Sequence, residues 1–248
     1  MASVVREKGS TEIGTGATTF APLFLQSKEQ PQWRIYALAS IGICTLAATL
    51  TAVLAPSARP VLLQEDGIIE MASVACLTAA VLGAGAASAI WGLRVPLLAA
   101  GLIGFAELMD ETSFGSRVFG FQPPALYGGG ELDGFHDLLI LAYRLLRDVD
   151  RSLAWMWVGL LLAASLSIMV FALTQLGNGN RRSGLTDHVL IFLHIGFIGL
   201  AQVIDIATAS NALSAVEEMF EFNASLALVF YVAQFASPLP SRLHGVDA

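Results

Sequence analysis

Runs of apolar residues too long for the interior of a small soluble fold dominate this chain. Residues 153–176 pass 24 positions without a charged side chain, and residues 33–55 carry only Arg34, near their start. About 20 such residues, wound as a helix, cover a hydrocarbon core of about 30 Å. Inside lipid each backbone N–H and C=O must be satisfied within the structure, and a continuous apolar run does this as a helix. Six segments qualify: 33–55, 67–91, 95–111, 153–176, 185–209 and 212–236, the third being the shortest. The pattern predicts an all-α integral membrane bundle of about six transmembrane helices, forming one domain over 33–236.

Composition points the same way. The chain is 55% hydrophobic and 13% charged, about half the ~25% charge of a soluble domain, and its mean hydropathy is +0.68. Disordered, collagen-like and disulfide-scaffold classes are excluded. A net charge of −7 leaves no basic footprint for nucleic acid. Cys44 and Cys76 fall inside the first two segments, with no CxxC and no adjacent histidine, and are expected as small buried residues. The partner that composition demands is the lipid bilayer.

Residues 1–32 are polar, rich in Thr, Gly and Ser, and lack the apolar stretch of a signal peptide; a flexible tail is expected there, with a short second tail at 237–248. The long loop 112–152 contains Pro123-Pro124 and Gly128-Gly129-Gly130, which break regular structure. Its second half, Phe135 to Val149, sets Leu138, Leu139, Leu141, Leu145 and Leu146 at helical spacing among Arg144, Arg147 and Asp148. An amphipathic helix lying in the membrane interface is expected. Lys and Arg favour a cytoplasmic N-terminus and C-terminus: with that orientation the short outer loops hold only Arg59. The chain then reads as a multi-pass protein of the cell inner membrane with its long loop outside.

Charge is distributed asymmetrically within the segments. Of 20 Asp and Glu residues nine lie inside them, namely Glu70, Glu107, Asp110, Glu111, Asp187, Asp205, Glu217, Glu218 and Glu221, whereas of 13 Lys and Arg only Arg34 does. An acid in a span costs up to about 3 kcal/mol on insertion scales. With six spans, Glu70, the Glu107/Asp110/Glu111 group, Asp205 and the Glu217/Glu218/Glu221 group all fall in one leaflet, on the side of the long loop. Glu107, Asp110 and Glu111 stand at i, i+3 and i+4 and share one helix face. Ser214-x-x-Glu217 fits a capping box, which gives Glu217 a structural use. Acids at the C-terminal end of 95–111 oppose the helix dipole and require compensation from Arg117, a bound cation or shared protons. His136 can add an imidazole to this layer. His194, flanked by Phe192, Leu193 and Ile195, sits in mid-span, where a histidine bonds a neighbouring helix or holds a haem or pigment.

The stretch Glu107-Leu-Met-Asp110-Glu111-Thr-Ser113-Phe114-Gly115-Ser116-Arg117-Val-Phe119-Gly120 resembles a motif of an uncharacterised family of bacterial multi-span membrane proteins, approximately E-E-x-S-W-G-Q-R-x-x-G. In that family an N-L-H-N element follows, similar to Gly134-Phe135-His136-Asp137, and a late span carries E-E-x-x-E, similar to Glu217-Glu218-Met-Phe-Glu221. The resemblance implies that Asp110, Glu111, Gly115, Arg117, His136 and the late acids belong to one site, and it brings no activity with it. Phe114 stands where the family has Trp, and Ser116 where it has Gln.

Glu107, Asp110, Glu111, His136, Glu218 and Glu221 are therefore the expected ligands of a divalent metal or other cation, since hard carboxylate oxygens suit such ions. Two other functions compete. One is an accessory subunit of a larger membrane complex, with His194 as the residue that would hold a cofactor. The other is an ion-coupled transporter. No phosphate-binding glycine loop, G-x-S-x-G or H-E-x-x-H occurs, so the sequence assigns no enzymatic reaction.

Overall fold

The computed structural model describes residues 30–58, 61–62, 67–132, 134–177, 184–207 and 211–236. Most of the expected N-terminal tail and all of the C-terminal tail lie outside these residues, as do Arg59, Arg181, Arg182 and the side chain of Arg117. The described residues are helical: α1 Gln30–Leu54, α2 Ile68–Trp91, α3 Val95–Glu111, the short α4 Ser116–Phe119, α5 His136–Val149, α6 Arg151–Gly177, α7 Val189–Ala207 and α8 Asn211–Phe235. Three-residue or five-residue 3₁₀ turns cover Pro56–Ala58, Ser113–Gly115 and Gly184–His188. Among the described residues there is no strand, only one antiparallel bridge between Ala125 and Glu131.

Local chemistry sets the helix ends. Gly92, at φ +84°, ends α2, and Pro96 occupies the first turn of α3, where a missing N–H costs no hydrogen bond. Arg94, between the two helices, donates from Nη1 to the Phe235 carbonyl oxygen at 3.0 Å and so caps the last turn of α8. At the α5–α6 corner Asp150 is extended, and its Oδ1 accepts from the Ser152 N–H at 2.6 Å. That hydrogen bond favours the carboxylate and holds Asp150 below the usual aspartate range.

Helix α8 is the hub, packing against α1, α2, α3 and α7, while α6 lies outside against α7 and α5. Leu77, Leu97, Leu190, Leu193 and Leu228 from four helices are fully buried at its centre. Small residues permit the approach. A Cβ added at Gly104 would lie 3.1 Å from Leu228 Cδ2 and 3.3 Å from Val81 Cγ2, so a larger residue would push α3 away from both α2 and α8.

Apolar side chains also cover the outside of the bundle, while several polar ones are buried among the apolar core. Ile43, Val53, Met156 and Leu160 are each more than 60% exposed on α1 and α6, whereas Ser73, His194, Ser225 and Gln234 are 1% exposed. Contiguous apolar faces of this extent belong against lipid. Among the described residues four helical segments are long and apolar enough to cross a membrane: Gln32–Leu54, Ile68–Trp91, Arg151–Leu176 and Leu185–Ala207. The remaining two long helices are the ones carrying the acid triads. Helix α3 has 17 residues, and the first half of α8 is interrupted by Glu217, Glu218 and Glu221.

Candidate functional site

Helix α3 ends in an abrupt reversal. Thr112 Oγ1 turns back to the Leu108 carbonyl at 2.7 Å, and Ser113, Phe114 and Gly115 all take positive φ. The two non-glycine residues in that region cost about 1–3 kcal/mol each. The reversal sets Phe114 edge-on to Phe135, with ring centroids 5.0 Å apart, and brings the start of α5 to the acidic end of α3.

Asp110 Oδ1 accepts from His136 Nδ1 at 2.9 Å and from the His136 backbone N–H at 3.4 Å. The carboxylate at the C-terminal end of α3 thus faces the N-terminal end of α5, so the unfavourable end of one helix dipole is offset by the favourable end of another. Asp137 completes the junction: its Oδ2 accepts from the Gly134 N–H at 3.0 Å, and its Oδ1 lies 3.8 Å from His136 Nε2. A Cβ on Gly134 would overlap both Asp110 Oδ1 and His136 Nδ1, so only glycine leaves room for this contact. Burial by itself would lower the His136 pKa. The Asp110 hydrogen bond and the charges of Asp110, Asp137 and Asp205 outweigh it and raise the value to about 9.

Glu111 lies within electrostatic reach of Glu70, Glu218, Asp110 and Glu107. Glu221 is in reach of Glu111, Glu218, Glu217 and Asp110. Asp205 neighbours His136, Asp137, Asp110 and Arg144, and Glu217 neighbours Asp205, Glu218 and His136. Acids from α2, α3, α7 and α8 therefore lie within electrostatic reach of one another, with the α5 junction beside them.

Glu107 is engaged elsewhere. Its Oε1 is 2.8 Å from His194 Nε2, and His194 Nδ1 is 3.0 Å from the Ala224 carbonyl oxygen of α8. Both ring nitrogens of His194 have partners, so neither is free to ligate a haem or pigment in this arrangement. Glu107 Oε2 is buried with no protein partner. Of the expected ligand set, Glu107 and Asp110 are each drawn to a histidine, while Glu111, Glu218 and Glu221 remain grouped. Among the described residues no three His, Cys, Asp or Glu side chains stand in a metal-holding arrangement. Sequence reasoning missed Gly134 and Asp137 as the parts that seat His136. It also missed the Glu107–His194 bond, which joins helices with no sequence signal of their adjacency.

At the other end of the bundle the polar groups are structural. Arg34 Nη2 meets Asp187 Oδ1 at 3.1 Å, Gln234 Nε2 donates to the Asp187 carbonyl at 2.7 Å, and His188 Nδ1 meets the Tyr231 hydroxyl at 2.7 Å. These contacts tie α1 and α8 to the turn that begins α7.

The geometry defines a helical protein with lipid-facing apolar surfaces and a carboxylate–histidine layer at one end. No protein-family model, curated protein or solved structure matches the chain.

Proposed function

We propose that this is a six-span inner-membrane protein, with cytoplasmic termini and an interfacial α5, whose outer carboxylate layer binds a small cation. Charge balance carries the reading. Asp110 takes His136 and Glu107 takes His194. Glu111, Asp205, Glu217 and Glu221 then remain with no imidazole among the described residues left to match them. Arg144 neighbours Asp205, and the resemblance of the Asp110–Arg117 stretch implies a second guanidinium nearby, so two positive charges stand against four carboxylates. Ionised carboxylates crowded together and partly withdrawn from water repel one another, so protons or a cation offset the remaining charge. In this reading Glu111 of α3 and Glu221 of α8, with Glu218 beside them, supply the oxygens that face an ion. Hard oxygen donors of this kind suit Ca²⁺, Mg²⁺ or Mn²⁺.

Elemental analysis and thermal unfolding of the detergent-purified protein test this. An ion bound at 100 times its Kd stabilises the folded state by about 2.7 kcal/mol, and Glu111→Gln and Glu221→Gln should remove both the ion and the stabilisation. If neither variant differs from the wild type in metal content or in its response to added Ca²⁺, Mg²⁺ or Mn²⁺, the layer is not a cation site.

A further inference from the structure

Beneath the carboxylate layer lies a titratable pair that cation binding does not use. His194 is 1% exposed. Its Nδ1 faces a backbone carbonyl oxygen, that of Ala224, which accepts hydrogen bonds and never donates them. Nδ1 therefore carries a proton in every state that keeps this bond. The opposite nitrogen, Nε2, faces Glu107 Oε1 at 2.8 Å, and one proton fits between them. On Oε1 that proton makes a carboxylic acid and a neutral imidazole; on Nε2 it makes a carboxylate and an imidazolium. Net charge is zero in both states, so the transfer does not change the charge the interior must hold.

We propose that Glu107 and His194 form the closed end of a proton path that begins in the carboxylate layer, which makes the path dependent on the layer proposed above. Glu107 and Glu111 stand one turn apart on the same face of α3, and Glu111 is surrounded by Glu70 of α2, Asp110 of α3 and Glu218 and Glu221 of α8. Glu107 Oε2, buried with no protein partner, is the oxygen available to take a proton from that side. Rotation of the carboxyl group about Cγ–Cδ then turns the protonated oxygen into the place of Oε1 against Nε2; its O–H bond breaks with the electron pair left on oxygen, the Nε2 lone pair forms an N–H bond, and nothing is oxidised or reduced. Here the proton stops. Among the described residues Glu107 is the one charged group acting on His194, and the Nδ1–H is held by a carbonyl that cannot relay a proton. Leu190, Leu193 and Leu228, all fully buried, occupy the helix turns toward Tyr231 and His188. The pair takes and returns one proton from the layer and does not conduct across the membrane.

Solid-state NMR of the full-length protein, labelled with ¹⁵N-histidine in phosphatidylethanolamine–phosphatidylglycerol vesicles, reads both nitrogens, with the His194 signal assigned by its loss in His194→Gln. The expected wild-type result is an Nδ1 that stays protonated while Nε2 gains and loses one proton with pH. In Glu107→Gln the imidazolium signal should disappear. Under a valinomycin-clamped potassium potential, proton entry into the vesicles should match that of protein-free vesicles. A wild-type Nε2–H neutral tautomer overturns the proposal without recourse to any variant. So does an imidazolium that persists in Glu107→Gln, or a proton flux that His194→Gln abolishes. A His194 that never titrates in a protein with an intact Glu111-dependent cation response overturns the path alone. A titrating His194 with no cation response overturns the cation layer alone.

Discussion

Gly134 shows how one residue decides a site. Its missing side chain is the space in which Asp110 and His136 meet, so Gly134→Ala should separate them and lower stability by roughly 1 kcal/mol, as for a partly exposed charged hydrogen bond. Chemical denaturation against the wild type measures this, and an unchanged midpoint would show that the junction can relax without loss. The same contact has a pH signature. His136 is raised from an ordinary 6.5 to about 9 in the folded protein, so its contribution is fully present below pH 6.5 and is lost as pH rises through about 9. Melting temperature should fall over that window more steeply in the wild type than in His136→Gln; parallel profiles would rule the pairing out. The i, i+3, i+4 spacing of Glu107, Asp110 and Glu111 was legible because a helix converts spacing into a shared face. Their divergent partners were not, because Glu107 meets α7 and Asp110 meets α5, and spacing along α3 carries no information about either.

At the scale of elements, the long loop is held by α5 and not left free. Arg144 Nη1 donates to the Tyr127 carbonyl at 2.8 Å and also reaches the Gly129 carbonyl. Tyr127 donates its hydroxyl to Asp148 at 2.8 Å; this bond favours the protonated phenol and raises its pKa. Gly128, Gly129 and Gly130 all adopt positive φ, which lets the chain fold its carbonyls around the guanidinium. Arg144→Ala should release this turn, and limited proteolysis should then cut between residues 120 and 134 at least several-fold faster than in the wild type. Equal cleavage rates would mean the turn is held by its own glycine geometry. Apolar periodicity revealed α5 from Phe135 onward, one residue before its observed start at His136. The glycine run was legible only as a break in regular structure, since its use depends on an arginine that folds back over it.

For the whole molecule, the outward apolar faces of α1 and α6 set the environment. Leu166, near the middle of α6 and 46% exposed, faces what we read as lipid. Leu166→Lys should cost about 2.5–3.5 kcal/mol of insertion free energy, seen as loss of membrane-integrated protein on expression. Full integration would place that face against water or another chain. Helix identity and length follow from the sequence alone, because backbone satisfaction in an apolar solvent admits one local solution and the apolar runs mark where it applies. The grouping of the acids was expected from six spans of alternating direction, and the structure brings acids of α2, α3, α7 and α8 within electrostatic reach of one another. Which acid pairs with which histidine was decided by tertiary structure. Helix order around α8 and the left-handed reversal after Glu111 set those distances, and neither leaves a periodic trace in the chain.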